Sequence, residues 1–118
     1  MGLAAAPDGY YVSSVITGII EEYTTDGILI RTVLQPPDGE TLGAEPFSTG
    51  TPLGLAVDAA GTLYYADIGI VDDPVDGLGP GSNAGSVRRI DFVDGEPAAP
   101  VTLADRLPFP DGLGVFEP

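Results

Sequence analysis

Thr51-Pro52-Leu53-Gly54-Leu55-Ala56-Val57-Asp58-Ala59-Ala60-Gly61-Thr62-Leu63-Tyr64-Tyr65-Ala66-Asp67 decides the fold, because the chain carries this text more than once. It opens with a shorter version, Gly2-Leu3-Ala4-Ala5-Ala6-Pro7-Asp8-Gly9-Tyr10-Tyr11-Val12-Ser13-Ser14. It closes with Pro110-Asp111-Gly112-Leu113-Gly114-Val115-Phe116, the beginning of a third copy. Self-similarity at a spacing of tens of residues marks a repeat architecture.

Around these copies, strand signals dominate. Seventeen glycines and 12 prolines interrupt the chain every few residues, which leaves little room for an ordinary helix. The runs between them are short and rich in β-branched and aromatic residues. The first unit reads as strands over residues 3–6, 10–15, 19–24 and 28–34, with turns at Asp8-Gly9 and Asp26-Gly27. The second reads as strands over 55–58, 63–68, 86–92 and 101–103, with turns at Ala60-Gly61 and Asp94-Gly95. Residues 35–50 connect the units, and 69–85 form a glycine-rich insertion that reads as turn chemistry throughout.

Four-stranded meanders in tandem, each opening on Gly-Leu-Ala, predict an all-β fold: a β-propeller segment of two four-stranded antiparallel blades plus an additional first strand. The units are then blade 1 with its connecting loop (1–50), blade 2 with the 69–85 insertion (51–108), and the first strand of a further blade (109–118). Small residues such as Gly54, Ala56, Gly112 and Gly114 suit inner strands that converge on a central channel. A β-sandwich of the same eight strands is the alternative, and the direct repeat argues against it. Met1 falls where the second copy has Leu53, which predicts a chain cut or started inside a repeat.

Composition narrows the chemistry. The 118 residues are 43% hydrophobic, enough for one small globular core. Cysteine and histidine are both absent, so disulfides, thiolate metal sites and Ser-His-Asp chemistry are outside this chain's means. Eighteen acidic residues stand against 4 arginines and no lysine, for a net charge of −14. That excludes a nucleic-acid backbone or an anionic membrane surface as the natural partner, and favours cations. An acidic, lysine-free surface also simply keeps a protein in solution. No apolar run reaches 18 residues, which points to a soluble chain.

The pattern Pro52-x-Gly54-Leu55-Ala56-Val57-Asp58-x-x-Gly61-x-Leu63-Tyr64-x-Ala66-Asp67, followed by Val87-Arg88-Arg89-Ile90-Asp91, resembles an NHL repeat. It is also similar to blades of the gluconolactonase-like and sorbosone-dehydrogenase-like six-bladed propellers. The resemblance covers two blades and the start of a third; it implies the fold more narrowly than any activity. In gluconolactonase-like members a divalent metal lies in the channel, held by side chains that often precede the Gly-Leu pair. Those positions here are Met1, Leu53 and Asp111, of which only Asp111 carries a ligand atom, so Met1 and Leu53 depart from the pattern. The slot ending the second strand holds Ser14 in one unit and Asp67 in the other. The resemblance implies a structural role for that Asp, capping turn amides. A secreted or periplasmic parent is a further expectation.

Two candidate cation sites follow. Asp111, Asp67 and Asp58 would line the channel once a ring closes, and Asp72, Asp73, Asp76 and Asn83 supply oxygens within the insertion. Calcium is the metal these oxygens would take, although no cofactor is required, and the insertion lacks the Glu of an EF-hand loop. Ser13-Ser14 has no histidine base, and no carboxylate pair stands out for glycoside hydrolysis. Glu21-Glu22 and Arg88-Arg89 fall at equivalent places on the two third strands, where opposite charges could meet between blades. The expected function is a non-catalytic ligand-binding or scaffolding module. Its partners are further blades, from a longer parent or from copies of itself as a homotrimer. The alternative is a fragment of a divalent-metal-dependent lactone hydrolase or quinoprotein dehydrogenase, which would need several carboxylates converging in the channel.

Overall fold

The structure, a computed structural model, describes residues 1–117; Pro118, the last residue of the expected third unit, lies outside the described residues. It is all-β. The first sheet is a meander of β1 (Leu3–Ala6), β2 (Gly9–Ser14), β3 (Ile19–Thr24) and β4 (Leu29–Leu34), paired in sequence order. The second contains β5 (Pro52–Val57), β6 (Leu63–Asp67), β9 (Gly85–Ile90) and β12 (Val101–Leu107), again antiparallel and in chain order. Two small hairpins hang from it: β7 (Ile70–Asp73) with β8 (Gly77–Pro80), and β10 (Phe92–Val93) with β11 (Glu96–Pro97). No helix among the described residues is long and apolar enough to cross a membrane.

One turn reading is corrected and one is borne out. Asp8-Gly9 is not the turn: Ala6 pairs with Gly9, so the loop is Pro7-Asp8 and Gly9 is the first residue of β2. Glycine is needed there for space, because a Cβ would overlap the Tyr23 carbonyl on the neighbouring strand. Asp94-Gly95 is a true two-residue turn, with φ of 52° and 80°, the left-handed pair that matches strand twist. It closes the β10–β11 hairpin, where the sequence reading ends its third strand at Phe92 and places no strand at residues 96–97.

The 69–85 insertion is also more ordered than turn chemistry suggested. The β-branched pair Ile70-Val71 starts a strand, and Val71 pairs with Gly79 across the hairpin. The backbone N–H of Asp72 donates to Gly43 O at 2.8 Å, tying the hairpin to the connecting loop.

Alternation along the strands gives each sheet two faces. One face of the first sheet, with Tyr11 and Ile20, packs on Leu55, Leu63, Tyr65 and Ile90 of the second, and together they form the core. Ile20, Leu63, Tyr65 and Ile90 are wholly buried. Each large side chain so buried contributes about 1.5–3 kcal/mol. The register makes the two sheets equivalent position by position. Ala4 pairs with Tyr11 and Tyr11 with Glu22; correspondingly Ala56 pairs with Tyr64 and Tyr64 with Arg89. Glu21-Glu22 therefore does correspond to Arg88-Arg89. The face of the first sheet that meets the second is thus matched by a face of the second that carries Tyr64 and Arg89 and is turned away from the first.

At their inner strands the sheets approach closely through backbone, and the Ser13 hydroxyl bridges Gly2 N and Leu53 O across the joint. A Cβ on Gly2 would overlap the Leu53 carbonyl oxygen, and a Cβ on Gly54 would overlap that of Asp111. The same contact therefore recurs one repeat later. Residues 110–112 run past β5 as β5 runs past β1, although residues 109–117 carry no strand pairing of their own. The expected additional first strand is in place as a segment, without the ladder that a second strand would supply.

Candidate functional site

At one end of β6 lies a carboxylate whose oxygens are fully engaged. Asp67 is 1% exposed. Its Oδ1 accepts from Thr51 N (2.8 Å), Gly69 N (2.9 Å) and Thr51 Oγ1 (3.3 Å). Its Oδ2 accepts from Ser86 Oγ at 2.8 Å and faces Arg88 Nη2 at 3.5 Å. Arg88 in turn donates from Nε to Ser86 Oγ at 2.9 Å and from Nη1 to Ser48 O at 2.6 Å. Asp67 thus knots the connecting loop, the start of the insertion and β9 onto one residue. The amide capping that the resemblance implied is its geometry, and a buried carboxylate with this many donors is chemically satisfied.

Asp58 lies beyond the opposite end of β6. Its Oδ1 accepts from Ala60 N and Thr62 N at 3.0 and 2.9 Å, and its Oδ2 from the Tyr64 hydroxyl at 3.0 Å. That hydrogen bond, more than burial, raises the Tyr64 pKa above its usual value. Asp111 is exposed on the terminal segment, where its backbone carbonyl makes the contact with Gly54. The structure therefore does not gather Asp58, Asp67 and Asp111 into one cluster. Among the described residues no group of three or more Asp or Glu stands in metal-binding proximity.

In the insertion, Asp73 Oδ1 accepts from Val75 N at 2.7 Å and Asp76 N at 3.0 Å, an Asx turn that closes the β7–β8 hairpin. These two backbone donors, Asp76 first, hold the Asp73 carboxyl below its ordinary pKa. Asp73 and Asp76 line a shallow cavity of about 400 Å3 under the hairpin, beside Ala44 and Val71. Asp72 and Asn83 are not part of that lining; Asn83 serves a turn with φ of 48°.

A second cavity, about 340 Å3, lies between the sheets at the Asp58 end of the interface. Tyr11, Glu22, Arg31 and Phe92 form its walls, with Asp8, Ala60, Gly61 and Gly95 at the rim. Tyr11 and Phe92 stack with ring centroids 6.1 Å apart, and the Arg31 guanidinium carbon lies 5.3 Å from the Phe92 ring centre. Glu22 is 5% exposed, and its Oε1 accepts from Arg31 Nε at 2.9 Å. Arg31 Nη1 donates to Gly95 O at 2.6 Å. The pKa of Tyr11 is raised by burial first and by the Glu22 charge second, so its hydroxyl stays protonated at neutral pH.

Sequence reading noticed Glu22 only as half of a charge pair. It does not meet the arginines of the second sheet: Arg31, two positions into the neighbouring strand, takes it instead, while Arg89 pairs with Asp91 at 3.2 Å. The usable signal was strand alternation. Tyr11 and Glu22 are direct cross-strand partners, so a carboxylate had to share the face of a buried tyrosine. Ser13, dismissed as a nucleophile, holds the blades together: its Oγ accepts from Gly2 N at 2.8 Å and donates to Leu53 O at 2.7 Å.

Comparison of the chain with protein-family models, with curated proteins and with solved structures gives no match.

Proposed function

We propose that the chain is a non-catalytic β-propeller module of the NHL-like type, serving as a binding or scaffolding unit in a ring completed by further blades. The observation that carries this reading is the recurrence of one joint: Gly2 against Leu53 O, then Gly54 against Asp111 O. A joint that repeats with the sequence repeat is what successive blades around an axis require. The outer faces support it as well. Leu3, Tyr10 and Leu29 are 66%, 41% and 49% exposed on the first sheet, an apolar face of a kind rarely left bare. That face also carries Glu21, whereas the free face of the second sheet carries Arg89 beside Asp91, so Glu21 and Arg89 could form one opposite-charge pair across a contact. Further blades from a longer parent or from copies of this chain would cover both faces. Three copies around a three-fold axis would close six blades through head-to-tail contacts.

Light scattering of the purified chain over a range of concentrations tests this reading. A mass above that of one chain, lowered by Arg89→Glu and restored by adding Glu21→Arg, is the expected result for self-assembly. A monomeric mass combined with a sharp, cooperative melt would show that the free faces need no cover, and would overturn it.

A further inference from the structure

The cavity between the sheets has a property that ring completion does not explain. All its walls belong to this one chain, and two polar atoms open onto it without a protein partner among the described residues. Glu22 spends only Oε1 on Arg31; its Oε2 has no hydrogen-bond partner among the described residues. Tyr11 is 2% exposed, yet its hydroxyl has no partner there either. Neither atom is sealed in protein, since Thr49 Oγ1 alone is both enclosed and unpaired among the described residues. Both therefore open into the cavity. Polar atoms that open onto such a space are met by water that a ligand can displace, and about 340 Å3 has the dimensions of a small-ligand site.

The polarity of the lining selects the ligand. The free Glu22 oxygen and the Asp8 carboxylate at the rim are acceptors only, and the Tyr11 oxygen is available as a third acceptor. Arg31 turns Nε to Glu22 and Nη1 to Gly95 O, with Glu96 Oε2 3.9 Å from Nη1. Asp8 and Glu22 outweigh Arg31 in charge, which disfavours an anion. A neutral polyol could take up the Tyr11 O–H and Arg31 Nη2 as donors but would leave the excess carboxylate charge of the lining without a counter-charge. Calcium takes about 6–8 oxygens, more than the lining offers. A primary ammonium has three N–H donors for three acceptors, and the stacked Tyr11 and Phe92 rings offer an apolar wall for its alkyl chain.

We propose that this cavity binds a small alkylammonium ion, its nitrogen held by Glu22 Oε2 and Tyr11 Oη and its chain laid along Phe92. Binding does not depend on ring closure, so its failure and the failure of the scaffolding reading are separate results.

The test is an amide NMR titration of the intact chain with n-butylammonium chloride at constant ionic strength. Sodium butyrate and 1-butanol are the anionic and neutral probes of equal length. Saturable shifts at Gly61, Phe92 and Gly95 with the ammonium alone are expected. Glu22→Gln should weaken binding about tenfold or more, and Tyr11→Phe about threefold, since hydrogen bonds to charged groups are the stronger ones. Asp8→Asn changes only an exposed rim residue, so it serves if Glu22→Gln fails to fold; about threefold weaker binding is expected. Equal response to 1-butanol, no saturable shift with the ammonium, or unchanged affinity in every folded variant would overturn the proposal.

Discussion

Asp67 and Glu22 are both buried carboxylates on the interface between the sheets, and they differ in how far they are satisfied. Asp67 receives four hydrogen bonds within 3.3 Å and faces an arginine, with both oxygens used. Glu22 receives one, from Arg31, and its other oxygen faces open space. The first arrangement fixes loops; the second leaves chemistry available. Burial alone does not separate the two cases, because they are 1% and 5% exposed. The accounting of lone pairs does.

That contrast breaks most sharply at Asp67. Asp67→Ala strands the donors of Thr51, Gly69 and Ser86 and leaves Arg88 without its carboxylate, and should destabilise the chain by about 3–5 kcal/mol. Urea unfolding measures it; a loss below about 1 kcal/mol would mean that water replaces these contacts and that Asp67 is no different from Glu22. Glu22→Gln should cost less, about 1–2 kcal/mol in the same assay, since only one partner is lost and the amide can keep a hydrogen bond to Arg31. If Glu22→Gln proves the more damaging, the comparison is inverted.

Alkaline pH probes the tyrosines on either side of the contrast. Burial raises the pKa of Tyr65 strongly, against its usual 10.0, while its hydroxyl donates to Thr49 O at 2.7 Å. Tyr11 is raised as well. For both, the folded value lies above the unfolded one, so their stability contribution is fully present below pH 10.0 and is lost progressively as pH rises above it. Ultraviolet titration should find these two tyrosines ionising only as the fold is lost, and Tyr65→Phe should flatten the alkaline limb of the stability curve. The smallest effect is expected at Arg89→Ala. Its pair with Asp91 is more than a third exposed on each side, and in a monomer its removal should change stability by about 0.2–1 kcal/mol or less. A larger loss that grows with protein concentration would sharpen the picture instead, by placing Arg89 at a contact between chains.

How much of this was legible beforehand depended on what each signal encodes. Tandem Gly-Leu-Ala text and alternating apolar residues locate the eight main strands to within a few residues, because period-2 burial is written locally. The Asp8-Gly9 turn was misplaced by one residue, because Asp-Gly has the same appearance whether its glycine turns the chain or admits Tyr23 O. The β7–β8 hairpin was lost among glycines; its strands are short, and its anchor, Gly43 O, lies far away in sequence. The Glu22–Arg31 pair and the cavity beside it were hidden for the same reason. Phe92 reaches Tyr11 only after two sheets have docked, and no local pattern records a docking angle. Asp67 was assigned a turn-capping role correctly, while its grouping with Asp58 ignored that a strand separates them by roughly 3.3 Å per residue.

The glycine joint has a consequence for how such a chain can change over time. Gly2 and Gly54 each meet a carbonyl oxygen of the next unit, and every residue type supplies a carbonyl. Leu53 and Asp111, chemically unlike, fill the same role. The glycine joint itself therefore makes no demand on the side chain across it; the demand on the neighbouring unit falls instead on Ser13 and on the packed face of Tyr11 and Ile20. Leu53 and Asp111 can thus diverge freely at that point of contact, while exchange of a whole unit would still have to match the packed face beside it.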